Sequence, residues 1–432
     1  MANRKVLTGL GIGLAATLAL SGCSGAADDD GTVTLQMVES LTNPARTELL
    51  ETLIDEFEQE NAGIEVELVS PPTDQADQKI QQMLQSGTGV DVLEVRDLTV
   101  GPFSTNGWLA DMGPEFEGWK GWDDLTDNAK NVATAGGKTY FIPYGFYGIS
   151  LFYRTDLVEE AGFDGAPASW EDLLEQATAI QDPEANTYGY AFRGGKNGYS
   201  NAALVIEAYV ADDLDLENAY RLKNGDSMFS APEALDAMEL YLDLFEQASP
   251  PSSVAWGYPE MVEGFSNGST AFLLQDPEVI AAVEQSTAIT GEQWTTAPML
   301  VGPSGTAIQP LATAGWGIAE ASEHRAESAK LIQFLSEGDA SIRFTEGNSL
   351  VPILNGADES EFYKTGAWSS YLTMNENPET YITAVQPRGV AWWTEWADKA
   401  DAELQQVLIG QLTTEELLAS WDAYWTEKWA AE

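Results

Sequence analysis

The stretch Gly136–Asp156, GGKTYFIPYGFYGISLFYRTD, constrains the fold more than any other part of this chain. A Gly-Gly-Lys turn leads into Thr139–Ile142, a β-branched and aromatic run, and then into a glycine-spaced aromatic loop, Pro143–Gly148. A second apolar run, Ile149–Tyr153, ends at Arg154-Thr155-Asp156. Two short strands joined through a loop of exposed rings predict a chain that crosses from one lobe to another, with the loop in the cleft between them. The length agrees with this reading, because 432 residues exceed what one hydrophobic core serves.

Ahead of the crossing, element types alternate. Thr32–Val38 reads as a first strand and Glu39–Pro44 as a loop. Pro44 suits the first turn of a helix in which Leu49, Leu50, Leu53, Ile54 and Phe57 share one face. Gly63 ends that helix; Ile64–Val69 follows as a strand, Ala76–Gln85 as a helix and Val90–Val95 as a third strand. This order predicts an open α/β lobe on a parallel sheet. Ligands of such sheets bind beyond the carboxyl ends of strands, which singles out Glu39–Asn43 and Arg96-Asp97. Past the crossing, Ser169 caps a helix running to Ile180, with Glu171 and Asp172 favourable in its first turn. Asn186–Arg193 reads as a strand, Gly194–Ser200 as a glycine-rich loop, and Pro232–Gln247 as a helix through Leu235, Met238, Leu242 and Phe245. Thr270–Leu274 and Ala314–Ala319 are buried-strand runs, and the Trp-rich chain from Ala391 is helical.

Residues 1–22 have the form of an export signal: Arg4 and Lys5 precede the apolar run Val6–Leu20. That run ends in Leu20-Ser21-Gly22-Cys23, which matches the bacterial lipobox, so Cys23 is the expected site of lipidation and of membrane attachment. Ser24–Gly31, small and acidic, suits a flexible tether, giving a 23–31 linker. A single cysteine excludes disulfides and Cys-based metal sites, and a single histidine, His324, argues against His-based zinc and Ser-His-Asp catalysis. A net charge of −49 repels phosphate backbones, so nucleic acid is not an expected partner. Gly137-Lys138-Thr139 looks like the end of a phosphate-binding loop, but Val132 stands where its leading glycine belongs. No cofactor and no metal are expected.

The crossing resembles that of extracellular solute-binding proteins of carbohydrate ABC transporters (family 1, maltose-binding-protein-like), worded close to GKxYGxPY…xxLYYNxDL. Val90–Met112 (VDVLEVRDL…GWLADM), Glu263–Val283 (EGFSNGSTAFLLQDPEVIAAV), Ala314–Gly338 (AGWGIAEASEHRAESAKLIQFLSEG) and Leu350-Val351-Pro352 are similar to four further segments of that family, in the same order. The resemblance implies a type II periplasmic-binding-protein-like fold, α/β and two-lobed, each lobe an open sheet flanked by helices, joined by a multi-crossing hinge. Lobe one would comprise residues 32–145 plus 312–348, and lobe two 146–311 plus 349–432. It also implies a monomeric, lipid-anchored binder on the outer face of the cell membrane, with a mono- or oligosaccharide as ligand and permease subunits as partners.

A sugar presents hydroxyls and flat C–H faces, so its site needs planar hydrogen-bonding side chains and rings. Rings in irregular segments are Tyr144 and Tyr147 in the crossing loop, Trp256 and Tyr258, Trp316 between glycines, and Trp392 near Arg388. Any one of them is as well explained by core packing, Trp316 above all. The family's ligand contacts carry over by motif to Asp97, Tyr147, Asp276 with Glu278, and Trp392. The chain departs from the family at Asp276-Pro277-Glu278, where Gly-Pro-Trp is usual, so a stacking ring is lost there. Glu39, Asn43 and Arg96 enter by position at strand ends. Two rivals remain: the same fold binding a polyamine or other small solute, and a secreted glycoside hydrolase using paired carboxylates.

Overall fold

Alternation in Val33–Val38 buries Leu35, Met37 and Val38 completely, and the strand pairs in parallel with Ile64–Val69, Val33 opposite Ile64. A computed structural model describes residues 32–431 apart from 43, 136, 311 and 391. The export signal, the lipobox cysteine Cys23, the tether and Asn43 lie outside the described residues. Val33–Val38 also pairs in parallel with Val92–Arg96, which in turn pairs antiparallel with Ala312–Ile318, and Ile142–Tyr147 closes this first sheet as an edge strand. The helix Pro44–Glu60 lays Leu50, Leu53, Ile54 and Phe57 against it.

A second sheet has the order Trp294–Ala297, Ser150–Arg154, Thr270–Gln275, Tyr188–Tyr190. Trp170–Ile180, capped by a reciprocal Ser169–Asp172 box, Gly198–Tyr209 and Pro232–Ala248 cover it. Each sheet has its own core, and the chain is α/β with two lobes. The C-terminal helices Trp393–Leu408 and Thr414–Ala431 add a knot of rings to the second core: Trp392, Trp393, Trp396, Trp421, Trp425 and Trp429, with Trp396 and Trp425 5.3 Å apart. Among the described residues no helix is long and apolar enough to cross a membrane.

The crossing differs from its expected form. Pro143–Gly148 is no loop: Ile142–Tyr147 is a strand with Tyr144 and Phe146 buried. Proline and glycine, read as loop signals, are tolerated because the strand is an edge and its pairing slips by a bulge at Ala314/Gly315. Gly145 is required there because a Cβ would lie 2.8 Å from the Leu350 side chain. The passage between sheets is confined to Gly148 and Ile149. Elsewhere, the strand expected over Asn186–Arg193 is only Tyr188–Tyr190, and the loop expected over Gly194–Ser200 is taken over from Gly198 by a helix. The helix Pro232–Ala248 is present and buries Met238 as expected, with Ala234, Ala237, Tyr241 and Leu244 beside it, while Leu235, Leu242 and Phe245 are half-buried.

Candidate functional site

The carboxyl ends of the first sheet's parallel strands and the facing end of the second sheet enclose a cavity of about 350 Å³. From the first lobe come Leu41, Arg96, Asp97, Tyr147 and Ala312–Ala314; from the second, Gln275, Asp276, Glu278, Tyr258 and the first turn of the Gly198–Tyr209 helix. Arg193, Gln386, Arg388 and Trp393 complete the wall.

The first-lobe wall rests on a buried network. Glu94, on the third strand, accepts from the Leu41 backbone N–H at 2.9 Å, the Ser40 hydroxyl at 2.9 Å and the Ser40 backbone N–H. Its other oxygen takes Arg46 Nη2 at 2.8 Å and the Tyr144 hydroxyl, and Tyr144 lies 3.2 Å, oxygen to oxygen, from Tyr147. Burial by itself would raise the Glu94 carboxyl, but Arg46, Tyr144 and the two backbone donors outweigh it and hold the group below the usual carboxylate range. The chain of contacts therefore fixes both the loop after the first strand and the ring that reaches the cavity.

Asp276 and Glu278 sit just past the strand Thr270–Gln275. Burial raises both carboxyls, and the neighbouring Asp276 charge raises Glu278 further; Arg193 and Arg46 counter these shifts in turn. Burial likewise raises Asp97, against the pull of Arg388 and Arg96. Asp401 accepts from the backbone N–H of Asn197 at 2.7 Å and of Tyr199 at 3.3 Å, holding the start of the Gly198–Tyr209 helix against the cavity. The two lobes meet where Arg388 pairs with Asp97 at 3.6 Å and where Gly101 faces the Gly389 carbonyl so closely that a Cβ on Gly101 would collide with it.

Of the residues singled out in the sequence, Arg96, Asp97, Tyr147, Tyr258, Asp276, Glu278 and Arg388 line this cavity together. The others lie elsewhere. Glu39 is buried, accepting from Thr47 Oγ1 at 2.7 Å and standing 3.9 Å from Arg46. Tyr144 is behind Tyr147, and Trp316 packs in the first core with ring centroids 5.3 Å from Tyr144 and 5.9 Å from Phe344. Both belong to strands of the first sheet, and their faces of those strands point into its core. Trp256 packs on Gly264 in the second core, and Trp392 joins the tryptophan knot, 4.6 Å from Trp425, leaving Trp393 at the cavity. Sequence reasoning missed Arg193, Tyr199, Gln275 and Gln386, for which the run Gly194–Ser200 was the available signal, and of the Trp392-Trp393 pair the motif chose the ring that the cavity does not take.

The sequence profile described as bacterial extracellular solute-binding protein matches residues 43–340, more than half of the chain. A Brucella abortus protein named as a binding protein is 23% identical over 361 residues, covering 82% of this chain and 83% of its own. The maltose-bound T. maritima MalE3 superposes with a TM-score of 0.77 at 22% identity, over 91% of this chain and 99% of that one. An ABC substrate-binding protein from Listeria monocytogenes in complex with cycloalternan gives a TM-score of 0.78 at 18% identity, over 92% and 99%.

Proposed function

The chain belongs to the bacterial extracellular solute-binding proteins, exported substrate-binding components of ABC transporters and not enzymes, and from that premise we propose that its solute is a neutral sugar or oligosaccharide held in the cavity between the lobes. One observation carries the reading: the wall sets Asp97, Asp276 and Glu278 against Arg96, Arg193 and Arg388, with Tyr147, Tyr258 and Trp393 as ring faces. Arg388 pairs with Asp97 inside the wall and Arg193 counters the charge of Asp276, while carboxylates and guanidinium groups together offer acceptors and donors to hydroxyls. The maltose and cycloalternan in the two structural neighbours are of this class. The Asp276–Glu278 pair is the one feature that favours a polyamine instead.

In this reading contacts from both lobes exist together only when the cleft is closed, so solute shifts the protein toward the closed state. Lobe one ends its first pass at Tyr147, where the strand of its sheet ends, takes the chain back at Ala312 and keeps it through Leu354, whose neighbours Leu350 and Ile353 belong to the first core. Cys23 would carry the lipid that tethers the binder beside its permease. Loss of palmitate labelling, with release into the medium, in a Cys23→Ala strain is the expected result for that anchor.

The experiment for the solute is intrinsic tryptophan fluorescence of the chain from residue 24 onward, titrated with mono- and oligosaccharides and with spermidine, at low and high salt. Saturable change with one sugar class and little salt dependence is expected; a response to spermidine that fades with salt would replace the sugar with a cation.

A further inference from the structure

Glu207 is a buried carboxyl that nothing above uses. It lies on the Gly198–Tyr209 helix, whose first turn lines the cavity, and is fully buried in the second core. Its two oxygens accept from a single group, Gln386 Nε2, at 3.1 and 3.3 Å. Among the described residues it forms no ion pair. A carboxyl in such a place costs stability, and an apolar side chain of similar size would serve the core better, so its presence calls for a role outside packing.

Gln386 supplies that role. It follows the strand Tyr381–Ala384, stands two residues before Arg388, and lines both the 350 Å³ cavity and the adjoining apolar chamber of about 560 Å³. An amide whose nitrogen is committed to Glu207 has its oxygen turned away from the core. Taking the cavity as the solute site, we propose that Glu207 is a positioning residue: by holding the Gln386 amide nitrogen it presents Gln386 Oε1 to the cavity as an acceptor for a solute hydroxyl.

The arrangement depends on the charge of Glu207. Burial pushes this carboxyl up to about 8, against the lowering effect of Gln386 and Arg388. The charged and titratable groups that face it are Arg388 and Tyr220, with Asp97 and Tyr199 behind Arg388. As a carboxylate, Glu207 can only accept, which fixes the amide. As a carboxylic acid it also has an O–H to donate, and the amide is free to reverse. Acceptor character at position 386 therefore grows as the pH rises past the Glu207 transition.

The test needs no solute for its first arm. Protein labelled with 15N-glutamine, with the Gln386 side-chain resonance identified by its loss in Gln386→Ala, is titrated from pH 6 to 9.5. The Gln386 amide should shift with a midpoint near pH 8 and stay flat in the isosteric Glu207→Gln protein; a flat wild type, or a shift that survives in Glu207→Gln, would overturn the proposal. The second arm uses maltose as the probe, by calorimetry at pH 8.5. Glu207→Gln should bind it roughly 5- to 30-fold more weakly, with the wild-type advantage shrinking toward pH 6. Equal affinity at all pH values would also overturn the proposal. If maltose does not bind the wild type, maltose is not the solute, and the amide titration still decides the role of Glu207.

Discussion

Glu94 and Glu207 are both completely buried glutamates, one in each lobe, and they stand in opposite electrostatic states. Glu94 receives a guanidinium, two hydroxyls and two backbone N–H groups, and its carboxyl is held low. Glu207 receives one amide, and its carboxyl is pushed up to about 8. Burial is the same; the number of donors is not. The depth of a carboxyl therefore says little about its charge until its donors are counted, and the two lobes should respond to pH in opposite directions.

The largest expected effect breaks the Glu94 side of this pairing. Glu94→Ala takes the nearer carboxylate from buried Arg46, leaving Glu39 at 3.9 Å, and should cost about 3–5 kcal/mol in urea unfolding. A loss under 1 kcal/mol would mean that water replaces the network. Next comes pH. Glu94 has a depressed folded-state value, so its contribution is present above the unfolded value near 4.5 and is lost as pH falls through the folded one. Glu207 has a raised value, so its contribution is complete below about 4.5 and is lost as pH climbs through about 8. Between pH 6 and 8 this costs the wild type at most about 3 kcal/mol, which Glu207→Gln should not lose. Parallel stability curves for the two proteins would end the comparison.

Two smaller effects ask whether the lobes must touch for the difference to hold. Gly101→Val puts a side chain where the Gly389 carbonyl sits, so solute affinity should fall roughly thirtyfold, about 2 kcal/mol, with little change in thermal unfolding. The alkaline limb from Glu207 should survive in this variant if it belongs to the second lobe alone. Arg388→Met removes the ion pair to Asp97, whose Oδ2 is buried and has no hydrogen-bond donor in its place among the described residues, and should cost about 1–3 kcal/mol of stability. A larger loss would show that Arg388 also holds the charge of Glu207.

Much of this architecture was readable along the chain. The first lobe's three parallel strands follow one another along the chain with a helix between each pair, and the rule of strand ends led to Arg96 and Asp97 on the cavity wall. Asp276 and Glu278, on the opposite wall, came instead from the resemblance to the family's motif. Arg193 and Gln386 were not legible because each arrives from a separate return of the chain, and no local pattern tells a residue what stands across from it. Tyr144 misled for the opposite reason: the glycines around it imitate a loop, whereas Gly145 allows close approach within a sheet edge, and Trp316 packs inward on its strand as its core reading had it. Trp392 and Trp393 differ by one position, and only the phase of the helix that begins there decides which ring joins the knot and which reaches the cavity.

That knot has an optical consequence. Its rings lie centroid to centroid within 4.6 Å for Trp392 and Trp425, 5.4 Å for Trp396 and Trp421 and 5.2 Å for Trp425 and Trp429. At such spacing the indoles exchange excitation energy, so light taken up by any member migrates among them. Trp393, packed on the same cluster at 6.3 Å from Trp425, is the member at the cavity wall. A molecule seated beside that single indole would therefore be reported through the whole array, as a change in emission larger than one residue could produce.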